Sequence, residues 1–249
     1  MIKRLAKTIT CIEIGSQTLY IWQVNQKRGV SPPEQITVPK NTLWNPQSLT
    51  QLIKGQIFGR KLLFLLNTSQ TIVRLSDETV TASDIEKTFP FVKQPEEYVF
   101  SYDIIGEKTW ITAVPSETPI SLVEMCRLKG VRSGRIQAID TLEYRMSRYL
   151  GNLHKSPFWL LLPQEPGIRL ITLQNGMPIL CYFFSNDSNF RLQEITRIWL
   201  CQPTPPQSAY ILSDNPAYLW LHEFLKEKSV GVLEQDFKQS MIAEWVRSL

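Results

Sequence analysis

The run Glu13-Ile14-Gly15-Ser16-Gln17-Thr18 sets a carboxylate, a residue without a Cβ and two hydroxyls within six positions. A small turn of this kind offers backbone N–H groups and hydroxyls to a phosphate, and a neighbouring carboxylate can organise a magnesium ion. Asp140, just after the apolar run Ile136–Ile139, is a second acid at the end of a strand-like segment. Glu13, Gly15, Ser16, Gln17, Thr18 and Asp140 are therefore the candidates to surround a phosphate and its metal. Plainer readings stand beside this one: Asp140 as a helix N-cap, and Ser16 and Thr18 as ordinary turn formers. Other chemistries have little to build on. The two histidines, His154 and His222, are far apart, and the four cysteines (Cys11, Cys126, Cys181, Cys201) form no CxxC pair. Neither a zinc site nor a histidine-based triad is expected. The cysteines read as small buried hydrophobes.

The elements that must position these residues alternate in type. Residues 9–24 read as a hairpin, and 25–47, with four prolines, as a loop with one edge strand. A helical pattern covers Ser48–Phe58, and Lys61–Leu66 is a strand apolar on both faces. Thr71–Leu75 is a short strand. Residues 80–98 read as an insert, with a helix capped by Thr81 or Ser83 and broken by Pro90 and Pro95. Tyr98–Ile105 and Thr109–Val114 alternate as strands, followed by a helix over Pro119–Lys129 that ends at Gly130. The Ile136–Ile139 strand and a helix over Thr141–Leu150 complete the first half. The second half opens on Phe158–Leu162. Gly167–Leu173 and Met177–Phe184 then flank Asn175-Gly176, a strong hairpin signal. Helices over Phe190–Leu200, Ala217–Lys228 and Met241–Leu249 alternate with strands at Ala209–Leu212 and Val230–Leu233. Each half thus runs from a meander into alternating helices and strands, the order of a remote duplication in an α/β protein.

Composition excludes several classes. With 43% hydrophobic and 20% charged residues, the chain has the balance of a folded globular protein. A net charge of +4 is too weak to imply nucleic acid or an anionic membrane as partner. No run of about 18 apolar residues exists, so no transmembrane helix is expected. The basic start, Met1–Lys7, leads into a strand pattern containing Glu13 rather than an apolar signal core, and a cytoplasmic location is expected. Arg127, Lys129, Arg132 and Arg135 cluster around Gly130 without interleaved aromatics, which reads as a solvated face rather than a nucleic-acid site. Ile242, Trp245, Val246 and Leu249 share one helical face, read as core packing, with a docking or dimer contact as the alternative.

The order of these elements, with several local phrases, resembles the PilM-like proteins of type IV pilus assembly, actin-like relatives of FtsA and of the cytoplasmic part of the type II secretion L protein. The phrases are Glu13-Ile14-Gly15-Ser16-Gln17-Thr18, the Thr81–Phe91 insert helix, Ala113-Val114-Pro115, Leu128-Lys129-Gly130-Val131 and Ala138-Ile139-Asp140-Thr141. The resemblance implies an actin-like (ribonuclease H-like) α/β fold of duplicated domains, with mixed five-stranded sheets flanked by helices. It implies a first domain over 1–152 with an insert subdomain at about 77–106, and a shortened second domain over 153–249. It also implies binding of the N-terminal cytoplasmic tail of a bitopic inner-membrane partner, in a groove between the first-domain core and its insert. By match, Ile85, Phe89, Phe91, Tyr98 and Phe100 are the peptide-site candidates. The plainer reading makes these aromatics the insert's own core, with Phe89-Pro90-Phe91 the segment expected to be exposed. The platform ATPase and a weak contact with the anionic membrane surface are further implied partners.

Departures from the family pattern shape the functional expectation. Glu13 stands where the family has Asp, and its extra methylene moves the carboxylate outward by about 1.5 Å. The second phosphate turn, Asp-x-Gly in the family, is matched by Leu162-Pro163-Gln164, with Glu165 next door. It offers no carboxylate, and proline removes a donor. The loop matching the adenosine site, Ser213–Ala217, has no glycine. The 33 residues from Phe184 to Pro216 leave no room for the family's second insert. The expectation is a non-enzymatic, cytoplasmic scaffold at the periphery of the inner membrane, in a type IV pilus or type II-like secretion platform, without a cofactor. The alternative is an active ATPase holding Mg-ATP between the domains.

Overall fold

The computed structural model describes residues 8–25, 27, 29–39, 44–56, 58–78, 80, 84, 89, 94–187, 189–212 and 215–249. The first half is built on a sheet in the order β3-β2-β1-β5-β9, with β4 also pairing β2. Its strands are β1 (Thr8–Gly15), β2 (Thr18–Asn25), β3 (Gly29–Val30), β4 (Glu34–Thr37), β5 (Lys61–Asn67) and β9 (Ile136–Thr141). The β1–β2 pair is antiparallel, while β1, β5 and β9 run parallel. A second sheet repeats this pattern in the order β12-β11-β10-β13-β14. It comprises β10 (Phe158–Gln164), β11 (Gly167–Gln174), β12 (Met177–Ser185), β13 (Ser208–Ile211) and β14 (Gly231–Val232), antiparallel through β10–β12 and parallel beyond. A three-stranded antiparallel sheet, β6 (Ile72–Ser76), β8 (Lys108–Pro115) and β7 (Tyr98–Ile105), attaches to the first half. The described helices are α1 (Pro46–Leu52), α2 (Glu117–Leu128), α3 (Leu142–Leu153), α4 (Arg191–Leu200), α5 (Leu219–Glu227) and α6 (Phe237–Arg247).

Local sequence explains most of these elements. The central strand β5 has five consecutive buried apolar residues, Leu62 to Leu66, as a parallel strand covered on both faces requires. Strand β1 is also covered twice: Ile12 and Ile14 face a core with α1 and α2, while Ile9 and Cys11 face one shared with the second sheet. That shared core is filled from between the sheets by α3 (Leu142, Met146, Leu150) and α6 (Met241, Ile242, Trp245, Val246). Ile242, Trp245 and Val246 are buried, so that part of the last helix's face is core as expected, whereas Leu249 lies past the helix end and is 49% exposed.

Several boundaries differ from the sequence reading. The first helix is short: Asn45 caps it by accepting from the Ser48 amide (2.9 Å), Pro46 occupies its first turn, and it ends before Ile53 rather than at Phe58. Asp140 is not the cap of α3. Thr141, the last residue of β9, takes that role, and Asp140 lies within the strand. The last helix begins at Phe237, four residues early, because Asp236 caps it. Phe89, expected at the surface, is 1% exposed and packs against Phe100 with the rings tilted and their centroids 5.5 Å apart. It belongs to a small core with Val80, Ile111 and Ala113, so apolar burial outweighs its place beside a proline. Ile85, Phe91 and the expected helix caps Thr81 and Ser83 lie outside the described residues.

Candidate functional site

Between the halves lies a cleft of about 940 Å3. Of the six residues singled out for phosphate chemistry, Glu13, Gly15, Ser16, Gln17 and Thr18 line it. Asp140 is not among its described walls. It pairs in register with Leu65, whose other partner is Glu13, so a whole strand separates the two acids. Asp140 binds the Arg145 guanidinium (2.6 Å) and accepts from the Thr141 amide (2.8 Å). Burial pushes its pKa above the usual carboxylate value despite that arginine.

Period-two alternation explains the floor of the cleft. Glu13 falls on the same face of β1 as Ile9 and Cys11, and is wholly buried. A carboxylate there needs a partner, and α6 supplies one: Lys238 Nζ sits 2.9 Å from one oxygen and 3.0 Å from the other. The same ammonium lies 4.8 Å from the centroid of the Tyr20 ring. Asn67 Nδ2 also donates to Glu13 (3.1 Å).

On the other side, the sequence reading of the second turn needs correction. Leu162, Pro163 and Gln164 do not form a turn. They stay in β10, paired with Arg169, Ile168 and Gly167, and only Glu165-Pro166 turns the chain. Gln164 shares a face with Phe158, Leu160 and Leu162 and points inward, 2% exposed. Its Nε2 donates to Glu143 (2.8 Å) and to Asn67 Oδ1 (3.2 Å), while its oxygen accepts from Arg169 Nε (3.1 Å). Arg169 also pairs with Glu143 (3.0 Å) and donates to the Thr71 carbonyl (2.6 Å). Burial raises the Glu143 pKa, against the pull of Arg169. At the mouth, the Gln17 amide donates to the Glu165 carboxylate, and Ser69 Oγ donates to the Glu165 carbonyl (2.8 Å).

Sequence reasoning missed Asn67, Glu143, Arg169 and Lys238. A signal existed: Arg169 interrupts Gly167–Leu173 as Glu13 interrupts β1, and a charge in an otherwise apolar strand demands a counter-charge.

The groups a magnesium–triphosphate would have to meet are engaged with one another. The one acid in the metal position is neutralised by a lysine, the second acidic position is a glutamine bonded inward, and the two turns are bonded to each other. Among the described wall residues, Glu165, Glu234 and Asp236 add negative charge that opposes a polyanion. The basic cluster near Gly130 is largely turned to internal use. Lys129 donates to the carbonyls of Ile53 and Lys54, Arg135 to those of Phe58, Gly59 and Arg60, and Arg127 pairs with Glu124.

The peptide-site candidates on β7, Tyr98 and Phe100, pack against the small core that holds Phe89, as the plainer reading expects. Tyr98 and Phe100 are half-buried, and on the same face of the strand Tyr102 and Ile104 are 46% and 53% exposed. Among the described strands, β7 pairs with β8 alone, and no described strand lies along its other edge.

No protein-family model and no curated protein matches the chain. Its architecture does match solved structures. A protein of Bacteroides thetaiotaomicron, described as having an actin-like ATPase fold and unknown function, aligns over 97% of both chains with a TM-score of 0.76 at 12% identity. The chain has the actin-like ATPase fold. The PilM–PilN type IV pilus biogenesis complex aligns at TM-score 0.62 and 13% identity, over 94% of this chain and 93% of the other. The cytoplasmic domain of EpsL, an inner-membrane component of the Vibrio cholerae type II secretion system, aligns at 0.59 and 12%, over 97% and 96%. In this actin-like frame, no described helix is long and apolar enough to cross a membrane.

Proposed function

We propose that this actin-like chain is a cytoplasmic scaffold of a type IV pilus or type II-like secretion platform, held at the inner membrane by the cytoplasmic tail of a membrane partner, and that its cleft no longer takes Mg-ATP. The observation that carries the second part is Lys238 seated on Glu13, where a metal-organising carboxylate would have to be free. The first part draws on the likeness to PilM–PilN and to EpsL. It also draws on the row Tyr98, Phe100, Tyr102 and Ile104 beside a strand edge along which no described strand lies. An extended tail adds to such an edge through backbone bonds and reads alternate side chains. The rival reading, an ATPase closing on Mg-ATP, rests on the surviving β1–β2 turn and the size of the cleft.

Calorimetric titration with Mg-ATP separates the two. The scaffold predicts no saturable heat from the unaltered chain or from Gly15→Arg. Saturable binding abolished by Gly15→Arg overturns the loss of the nucleotide site. In parallel, fluorescence anisotropy with tails of bitopic pilus or secretion proteins from the same genome is expected to find one that binds, at least ten-fold more weakly to Tyr102→Glu. Failure of every tail rejects the docking half.

A further inference from the structure

Positive charge is not spread evenly over this chain. Strands β1, β5 and β9 run parallel, so Thr8, Lys61 and Ile136, where they begin, share one end of the first sheet. The β2–β3 turn joins them there, because Asn25 pairs with Thr8. Each segment reaching that end brings a base: Lys27 in the turn, Arg60 and Lys61 entering β5, Arg132 and Arg135 entering β9. Hydrogen bonds tie the ends of α1 and α2 to the same place. Lys129 donates to the Ile53 and Lys54 carbonyls (2.7 and 2.6 Å), and Arg135 to the Arg60 carbonyl (3.0 Å). A cation bonded to a carbonyl keeps its charge. With Lys54 and Arg127 there are eight bases here, and the acids bonded to these segments are Glu34, through Gln56, and Glu124, through Arg127. Even with both acids subtracted, this end holds more positive charge than the net +4 of the whole chain. Lys27, Lys54, Arg60 and Arg132 are exposed and form no ion pair with a described residue. The other end of β1, about 23 Å away, opens on the cleft and its acids Glu165, Glu234 and Asp236.

We propose that this basic end is a membrane-facing surface, which rests on anionic lipid headgroups and turns the cleft toward the solution. Three strand spacings, about 15 Å, separate β2 from β9, too wide a spread for one phosphate. A bilayer of anionic lipid offers a whole layer of phosphates. It also offers an apolar phase to Leu128, which is 45% exposed beside Lys129, and a nucleic-acid duplex does not. These segments expose no aromatic ring on which a base could stack: Phe58 is buried, with the Lys129 ammonium 5.6 Å above its ring. The net charge hides this surface because the acids at the cleft end offset part of it. The proposal deepens the scaffold reading by adding a lipid contact to the tail, and rests on that reading only for the inner membrane as the source of the lipid.

The test is co-sedimentation of the purified full chain with lipid vesicles, which needs no tail. Vesicles of phosphatidylglycerol and phosphatidylethanolamine are expected to carry the chain down at low salt and to release it as salt screens the charges. Pure phosphatidylcholine vesicles are expected to leave it in solution. A base near an anionic surface contributes about five-fold to partitioning. The triple variant Lys54→Gln, Arg60→Gln, Arg132→Gln is therefore expected to bind about a hundred-fold more weakly. All three side chains are exposed, so its thermal melt by circular dichroism is expected to match the parent's. Orientation is read with an environment-sensitive fluorophore in a Cys201→Ser background, which removes the exposed native thiol. On Ser133→Cys, next to Arg132, the label is expected to brighten with anionic vesicles; on Gln235→Cys, at the cleft, it is expected not to change. No binding to anionic vesicles, equal binding to neutral ones, a triple variant as tight as its parent, or a brighter label at the cleft overturns the proposal. So does duplex DNA that strips the chain from the vesicles at equal phosphate concentration. Failure of every membrane tail with vesicle binding intact rejects the docking half of the scaffold reading and leaves the lipid contact standing, so the two fail separately.

Discussion

Single buried polar groups set how this chain responds to pH. His154 stacks on Phe158 with ring centroids 4.8 Å apart, and its Nε2 is buried without a partner. Burial lowers its pKa from 6.5. A base depressed by folding is held neutral at no cost above the unfolded value. Below about 6.5 the unfolded chain takes up the proton first, so stability falls as pH drops through and below that point. Urea unfolding midpoints measured between pH 7.5 and 5 are expected to fall, and His154→Phe is expected to flatten that limb. Equal limbs would show that His154 is not the titrating group. Glu143 and Asp140 act with the opposite sign. Burial raises both, so the folded state holds their protons more tightly and they favour folding as pH falls toward the ordinary carboxylate range. In the sequence Glu13 can be seen to need a counter-charge, but nothing local identifies Lys238, which only the arrangement of both sheets brings near.

At the scale of elements, strands and helices were legible because their periodicities are strong, as in β5 and in the α6 face of Ile242, Trp245 and Val246. Boundaries were less so. Whether Asp140 or Thr141 caps α3 depends on which side chain is engaged elsewhere, and Arg145 holds Asp140. The inward turn of Gln164 was hidden because Pro163 and Glu165-Pro166 look like a loop, while β10 continues by pairing with β11. The Asn175-Gly176 turn was readable, and the structure gives both residues positive φ, 53° and 80°. Less visible was the role of Gly151 on α3, which lies directly against Gly176, so that a Cβ on Gly151 would collide with the Gly176 carbonyl. Gly151→Ala therefore forces α3 away from the hairpin, at a cost of about 1–3 kcal/mol. Helix propensity alone favours alanine by about 1 kcal/mol. Urea denaturation decides the sign: a stabilised Gly151→Ala would mean that the helix and hairpin separate freely.

The whole molecule has a core that ignores the division between halves. Ile9, Cys11, Leu63 and Leu65 of the first sheet share one apolar cluster with Phe158, Leu160 and Ile171 of the second, and α3 and α6 fill the space between them. Differential scanning calorimetry should record one cooperative transition, with calorimetric and van't Hoff enthalpies equal. A fragment over 1–152 loses α6 and half of that cluster, and is expected to lack the near-ultraviolet circular dichroism of a packed state. Two separate transitions, or a packed fragment, would contradict a shared core. The duplicated α/β order was readable in the sequence, but this joining was not, since alternation tells which face of a strand is apolar and not what covers it. The ion pair of Lys238 with Glu13 closes 225 positions of sequence. A ribosome adding about 5–20 residues per second needs about 10–45 s to travel that far. Throughout that interval the nascent first strand carries an unneutralised carboxylate on a face still missing Met241, Ile242 and Trp245. A chain released before residue 238 lacks the only cation that pairs with Glu13 among the described residues, so this pair is among the last contacts the growing chain can complete.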